Sequence, residues 1–259
     1  VKIDIEHHIY KNNKKHKNIC TMTEDLIESI LVEKEVSSYM IEMKEEKNDM
    51  ITHSLHVCSF ATMLAFRLGM DKNLAIDIAK GGLLHDIGLR YLTIPYENCD
   101  IDRLSIQEQT EYRKHTINGY VSLGQESWLT ERAKKIVLLH HEYENGSGYP
   151  MNLTSERIPD AVKIISICDV FDEMISGIGF CHRKVQEAIE FLKYNGGQLF
   201  YKNYTEVFLS MIVHYPVGSI VRLSNGDMGK VIRQNPKFNE RPVIELLCNA
   251  EGKKYEKKK

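Results

Sequence analysis

Two groups of adjacent polar residues each end an apolar run of the sequence. His85 and Asp86 follow one run, and His140, His141 and Glu142 follow another. Burying an imidazole or a carboxylate without a partner is costly, so an ordinary core histidine does not account for both groups. Imidazole nitrogens and carboxylate oxygens are ligands that proteins use to bind iron, manganese and zinc. The two groups therefore indicate candidate ligands of a metal centre.

Further residues of the same types lie on other predicted helices. His53 begins one helix, and Asp49 precedes it by four positions, a spacing that places both side chains on one face of a continuous helix. His115 lies on another helix, and Asp169 follows an apolar run. Single His and Asp residues on helices are common surface features, and no spacing rule alone joins these helices. From the residues alone, one shared site and scattered surface positions both stay open.

In chain order, these residues resemble the metal ligands of the HD superfamily of metal-dependent phosphohydrolases. The segments that resemble its HD-GYP branch are His85-Asp86-Ile87-Gly88, His140-His141-Glu142 and Gly148-Tyr149-Pro150. The resemblance extends from His53 to the Asn225-Gly226 turn, which is most of the chain. A Gly-Tyr-Pro segment alone would indicate only a turn, whereas the combined motifs are specific.

The resemblance implies an enzyme that hydrolyses a cyclic dinucleotide, cyclic di-GMP, to the linear dinucleotide or GMP by attack of a metal-bound hydroxide. Its cofactors would be two or three divalent ions, iron or manganese. By motif match, the ligands would be His53, His85, Asp86, His115, His140, His141 and Asp169. Asp86 would be the catalytic carboxylate that bridges two ions, Asp49 would serve a third ion, and Glu142 would orient a histidine ligand.

Two positions depart from the family pattern at groups that hold the substrate. Leu89 stands where typical members carry a Lys that binds phosphate, and Ile178 stands where they carry an Arg. Arg183 and Lys184 are the residues expected to replace them as substrate-binding cations. Two alternatives therefore stay open: a phosphohydrolase for another nucleotide, and a cyclic di-GMP receptor with little or no catalysis. The complete ligand set favours an enzyme.

The hydrophobic pattern predicts the elements that must position these residues. Residues 1–22 form a polar, basic arm, and a helical metal-binding domain follows over 23–215, its first helix capped by Thr23. A β-rich stretch is expected over 216–250, with a turn at Asn225-Gly226, and a basic tail over 251–259. The predicted fold is mainly α, an HD-type helical bundle with a small antiparallel β appendage.

Composition limits the setting and the partners. The chain has 259 residues and a formal net charge of -2, whereas proteins that bind nucleic-acid polymers usually carry a basic excess. No run is long and apolar enough to span a membrane, and no apolar secretory signal opens the sequence. Six scattered cysteines fit a reduced, cytoplasmic setting. The Gly148-Tyr149-Pro150 loop is expected to be exposed and to contact a signalling-protein partner; the oligomeric state stays open.

Overall fold

A computed structural model of the chain describes residues 49–235 and 238–255. The predicted arm at 1–22, the helix predicted from Thr23 and the last four residues of the basic tail lie outside those ranges. Among the residues that are described, no helix combines the length and the apolar character that crossing a membrane requires.

Seven α-helices lie within the described residues. Their bounds are α1 Met50–Arg67, α2 Lys72–Leu84, α3 Ile106–Ser122, α4 Glu131–Leu139, α5 Asp160–Ser176, α6 Val185–Asn195 and α7 Lys202–Met211. Short 3-10 helices occur at Ile87–Tyr91, Ile101–Arg103 and Ser155–Arg157. The prediction of a mainly α fold is confirmed.

Polar side chains define where several of these helices begin. Asp71 and Ser105 precede α2 and α3, and each side chain accepts hydrogen bonds from backbone N–H groups of the first turn. Ser105 and Glu108 bond reciprocally in a capping box, and Thr130 caps α4. At the far end of α5, Gly177 has φ 81°, a left-handed conformation that favours glycine after a helix. Residues next to each of these helices therefore determine where it begins or ends.

The described chain divides into two compact units between Leu209 and Ser210, near the end of α7. In the first unit, α5 is the central helix, with 15 buried residues among its 17. Helices α1, α2, α4 and α6 all pack against it. Because α5 is surrounded in this way, its polar residue Asp169 is held in the interior, at 1% exposure.

The second unit contains a three-stranded antiparallel sheet in the order β1-β2-β3. The strands are β1 Ile220–Arg222, β2 Met228–Arg233 and β3 Val243–Cys248. Ile220 pairs with Lys230 in the register of β1 and β2. The predicted Asn225-Gly226 turn joins these strands, and Gly226 has φ 90°, which glycine adopts without strain. The predicted antiparallel appendage is confirmed.

Candidate metal centre

Three candidate ligands, His85, His115 and His140, are anchored by the same local hydrogen bond. In each ring, Nδ1 lies 2.7–3.0 Å from the backbone oxygen three residues earlier. Because a carbonyl oxygen can only accept, Nδ1 carries the hydrogen and donates it. In the neutral ring the lone pair is then on Nε2, and this atom is left to bind a metal ion.

His53 is oriented by a buried carboxylate. Its Nδ1 lies 2.8 Å from Oδ2 of Asp172, and Oδ1 of Asp172 lies 2.9 Å from Nδ1 of His56. Burial lowers the pKa of His53, but the adjacent carboxylates Asp169 and Asp172 outweigh this effect and raise the pKa to about 10. A divalent ion would displace the proton from Nε2. The sequence prediction of site residues does not include Asp172. Its spacing of three positions from Asp169 on α5, which places both side chains on one helical face, is the signal that could have identified it.

The carboxylate of Asp86 lies between two pairs of histidine nitrogens. Nε2 of His53 and Nε2 of His85 are 3.1 Å apart, and the same distance separates Nε2 of His115 from Nε2 of His140. Oδ2 of Asp86 is 3.6 and 3.4 Å from the first pair, and Oδ1 is 3.4 and 3.6 Å from the second. One carboxylate oxygen therefore faces each pair, an arrangement that can bridge two metal ions.

Asp169 and His141 extend this buried cluster. Oδ1 of Asp169 is 3.2 Å from Nε2 of His53 and 3.1 Å from Nε2 of His85, and its Oδ2 is 3.9 Å from Nδ1 of His141. Among the described residues, neither oxygen of Asp169 finds a hydrogen-bond partner of suitable geometry, and the same holds for Nε2 of His141. Buried polar atoms without partners are uncommon, and a metal ion satisfies them. The donor set therefore fits divalent metal ions.

Charges in the cluster keep the carboxylates ionised; among the histidines, the pKa of His53 and His85 is raised and that of His115 and His141 is lowered. Burial raises the pKa of Asp86, but the surrounding histidines, His85 above all, outweigh it and hold that pKa well below its usual range. The pKa of Asp169 is lowered in the same way. Burial lowers the pKa of His115 to about 4 and that of His141 well below its usual range. Ionised carboxylates and the neutral rings of His115 and His141 are the forms that bind metal ions, and an ion bound by His53 and His85 would displace their Nε2 protons.

The predicted role of Asp49 as a ligand is corrected by its position. Its exposed side chain accepts hydrogen bonds from the backbone N–H and the hydroxyl of Thr52, each at 2.9 Å. Asp49 directly precedes α1 and has extended backbone, φ -89° and ψ 169°. The four-residue spacing to His53 therefore does not place both side chains on one helical face. Asp49 caps α1, and the clustered ligand atoms found among the described residues do not include its own.

The Gly148-Tyr149-Pro150 segment contacts the cluster and is not the exposed loop that the sequence predicts. Tyr149 stacks on His141 with ring centroids 4.7 Å apart, and its backbone N–H donates to the oxygen of His141 at 3.1 Å. A Cβ atom on Gly148 would lie 2.3 Å from that oxygen. Only glycine permits this approach of the two backbones. The segment therefore shapes the site, because its aromatic side chain is turned inward.

Glu142 fixes the chain that follows this segment. Its carboxylate accepts hydrogen bonds from the backbone N–H of Met151 at 2.5 Å and of Leu153 at 2.8 Å. The side chain is buried, and these bonds offset the cost of burying a carboxylate. The prediction that Glu142 orients a histidine ligand is corrected, because its hydrogen bonds within the described chain hold the loop backbone.

A cavity of about 190 Å³ lies beside His141. Its lining includes Asp102, Tyr112, Arg113, Tyr149, Glu173 and Phe180. Cζ of Arg113 lies 5.2 Å from the ring centroid of Tyr149, within the range of a cation–π contact. A guanidinium group suits an anionic ligand, and aromatic faces suit planar bases. The cavity lining therefore combines a cation and aromatic rings beside the candidate metal ligands.

The predicted substrate-binding cations, Arg183 and Lys184, do not line this cavity. Both are exposed, and Lys184 directly precedes α6. Leu89 and Ile178, at the positions of the family's cations, are 1% and 0% exposed and share one apolar cluster. Arg113 is the cavity cation that sequence reasoning missed. Nothing in the sequence marks Arg113 as a binding residue, because a charged residue on an amphipathic helix is most simply interpreted as a surface residue.

Comparisons with known proteins match both units. An HD domain model matches residues 31–203, and a model of a KOW domain associated with HD domain matches residues 220–259. A cyclic di-GMP phosphodiesterase of Pseudomonas aeruginosa is 27% identical over 236 residues, 90% of this chain and 56% of the relative. A 3'3'-cGAMP-specific phosphodiesterase of Vibrio cholerae is 33% identical over 124 residues, 47% of this chain and 23% of the relative. The chain thus spans little more than half the length of the Pseudomonas aeruginosa relative.

A solved structure shares the fold. It is an HDGYP protein from Bdellovibrio bacteriovorus, with a TM-score of 0.66 at 19% identity, over 80% of this chain and 66% of that chain. The HD domain match covers more than half of this chain and includes every histidine and aspartate of the cluster. The chain belongs to the HD domain family.

Proposed function

We propose that this chain is a metal-dependent phosphodiesterase that hydrolyses a cyclic dinucleotide, with cyclic di-GMP as the first candidate. The observation that carries the proposal is the position of Asp86, with one oxygen toward each pair of histidine nitrogens, in a cluster beside a cavity. The names of the two relatives, phosphodiesterases for cyclic di-GMP and 3'3'-cGAMP, support the substrate class.

Two groups of ligands would each hold one metal ion. The first consists of His53, His85, Asp86 and Asp169. The second consists of Asp86, His115, His140 and His141. Iron and manganese suit these groups because both ions accept imidazole and carboxylate ligands. When bound, the ions would neutralise phosphate charge and lower the pKa of a water molecule for attack on phosphorus.

The cavity would hold the rest of the substrate. A cyclic dinucleotide has two phosphodiester groups and two bases, so one phosphate at the metal ions leaves a second anion to be bound. Arg113 would donate charge-assisted hydrogen bonds to that phosphate. Tyr149 and Phe180 would offer aromatic faces on which a base can stack. These contacts would orient the reacting phosphodiester by holding parts of the molecule that do not react.

Asp102 favours guanine as the base. Its carboxylate lines the cavity and is exposed to an incoming ligand. A carboxylate can only accept hydrogen bonds. Guanine presents two adjacent donors, N1–H and the 2-amino group, whereas adenine presents an acceptor at N1. We therefore place cyclic di-GMP ahead of cyclic di-AMP, with cyclic GMP-AMP between them.

The test is a hydrolysis assay of the purified chain after loading with iron or manganese. The substrates are cyclic di-GMP, cyclic GMP-AMP and cyclic di-AMP, and the products are separated as linear dinucleotide and mononucleotide. We expect cyclic di-GMP to be cleaved fastest, and elemental analysis to give at least two metal ions per chain. Protein that carries two ions and cleaves none of the three would overturn the proposed activity.

A receptor for cyclic di-GMP is the second candidate function. The observation that favours it is the burial of Leu89 and Ile178 at positions where typical family members carry cations. Calorimetric titration with cyclic di-GMP separates the two functions. Binding that is tight and leaves the ligand intact in metal-loaded protein supports a receptor, whereas turnover supports the enzyme.

A further inference from the structure

Besides Asp86, Asp169 and Asp172, a further buried carboxylate, Glu173, faces the cluster beside Asp169. The two residues are four positions apart on α5, so their side chains leave the same face of that helix. Glu173 is 3% exposed, and one of its oxygens lies within 4.8 Å of ligand atoms of both Asp169 and His141. The two proposed ion positions do not use this group.

The contacts of Glu173 leave it open to the cavity. The hydroxyl of Tyr112 lies 3.4 Å from its Oε1, which is a long hydrogen bond. A Cβ atom on Gly179 would lie 2.9 Å from Oε1 and 2.7 Å from that hydroxyl. Glycine at this position therefore leaves space beside the carboxylate. Glu173 itself is part of the cavity lining.

Charge and unsatisfied atoms both indicate a cation at this place. Asp86, Asp169, Asp172 and Glu173 bring four carboxylates into one buried region, and like charges there repel strongly unless cations compensate them. Independently, Oδ2 of Asp169 lies 3.9 Å from Nδ1 of His141 and is buried without a hydrogen-bond partner among the described residues, whereas Oδ1 faces His53 and His85. The first ion would use Oδ1, so Oδ2 is left for a cation that Asp169, His141 and Glu173 can share.

We propose that His141, Asp169 and Glu173 form a further metal position on the cavity side of the cluster, for a divalent ion such as Mn²⁺ or Fe²⁺. Two carboxylates and one imidazole are a donor set that suits these ions. Glu173 supplies the carboxylate that belongs to this position alone. The inference rests on the proposed metal centre, but it does not require hydrolysis.

The test compares metal content in Glu173→Gln with metal content in Asp49→Asn. Glu173→Gln keeps the side-chain shape and removes the charge. Asp49→Asn alters the carboxylate that the sequence assigns to a third ion, and Asn still caps a helix. Each protein is stripped of metal, titrated with Mn²⁺ alone and analysed by elemental analysis after removal of unbound ion. We expect Glu173→Gln to bind one ion fewer per chain than the unaltered protein, and Asp49→Asn to bind the full number.

Equal Mn²⁺ content in the unaltered protein and Glu173→Gln would overturn the further position. If both then bind two ions, the proposed two-ion centre stands; if neither binds any, that centre fails as well. Tyr112→Phe, which removes only the long hydrogen bond to Glu173, controls for a structural role and should retain all ions. A melting curve of each stripped variant verifies that the chain is folded.

Discussion

Oδ2 of Asp172 lies 2.8 Å from Nδ1 of His53, and this contact fixes the direction in which the imidazole presents its second nitrogen. Because the carboxylate can only accept, Nδ1 donates, and Nε2 is left for a metal ion. The other oxygen of Asp172 bonds His56, whose side chain is 34% exposed. Asp172 thus orients a proposed ligand, His53, and is not itself in the proposed ligand groups.

Asp172→Ala should weaken metal binding while leaving every proposed ligand in place. Loss of such a supporting hydrogen bond typically costs roughly 10- to 100-fold in metal affinity. Competition with a chelator of known affinity measures the change. His56→Ala is the matched control, because it removes the second partner of Asp172 but not the bond to His53. Unchanged affinity in Asp172→Ala would show that the packing of α1 alone orients His53.

Asp86→Ala should release both proposed ions together, because one carboxylate oxygen faces each pair of histidine nitrogens. We expect hydrolysis to be lost and the metal content to fall by more than one ion per chain, with little change in helical content. Asp49→Ala is the control, since its exposed side chain caps α1. It should retain metal and lose about 1 kcal/mol of stability. Loss of a single ion in Asp86→Ala would argue against a bridge.

Gly88→Ala should disturb the cluster through the backbone. A Cβ atom on Gly88 would lie 1.9 Å from the backbone oxygen of His115, so the turn after Asp86 and helix α3 would have to separate. Overpacking of this kind costs roughly 1–3 kcal/mol. We expect a lower denaturation midpoint and weaker metal binding. Gly196→Ala is the control, since the nearest atom to its added Cβ lies at 3.4 Å and φ is -63°.

The helices could be predicted because they depend on local pattern, whereas the ligand order is what the resemblance to the HD superfamily implies. Apolar periodicity marks α2 and α4, and the polar residues that end those runs, His85 and His140, are the ones that the fold brings together at Asp86. The limits of that reasoning are visible at Asp49, where a spacing rule for helix interiors was applied to a residue that precedes the helix.

Residues that line the cavity could not be predicted because their role depends on distant parts of the chain. Arg113 lies on α3 and meets Tyr149 from a separate loop. Glu173 does carry a signal, since an acidic residue one turn after Asp169 on an apolar helix requires a partner. Nearness in sequence to Ile178 predicts Arg183 and Lys184 as substrate-binding cations, but the fold leaves both exposed and outside the cavity lining.

Arg113→Ala should raise the KM for cyclic di-GMP while kcat changes little. The guanidinium lines the cavity and is absent from the proposed ligand groups, so the chemical step should survive its removal. Loss of a hydrogen bond to a charged group costs about 1.5–3 kcal/mol, which is roughly ten- to a hundredfold in affinity. Steady-state kinetics separate the two constants. Arg183→Ala, the control at the position predicted from sequence, should have the same KM as the unaltered protein. A raised KM in Arg183→Ala with an unchanged KM in Arg113→Ala would favour the sequence-based assignment.

Leu89→Lys tests whether the family's phosphate-binding cation can simply be put back. From sequence alone, the substitution is expected to tighten substrate binding. In the structure, Leu89 is 1% exposed and packs in an apolar cluster with Ile101, Tyr112 and Ile178. An ammonium group placed there has no carboxylate partner within that cluster, and an uncompensated buried charge costs about 3 kcal/mol or more. We therefore expect Leu89→Lys to lower the free energy of unfolding in urea and not to improve the Kd for cyclic di-GMP.

Leu89→Met, which keeps the apolar volume, should remain close to the unaltered protein in both stability and binding. A Lys variant that is as stable as the Met variant and binds cyclic di-GMP more tightly would mean that the side chain reaches the cavity, and the assignment of the phosphate contact to Arg113 would then have to be shared.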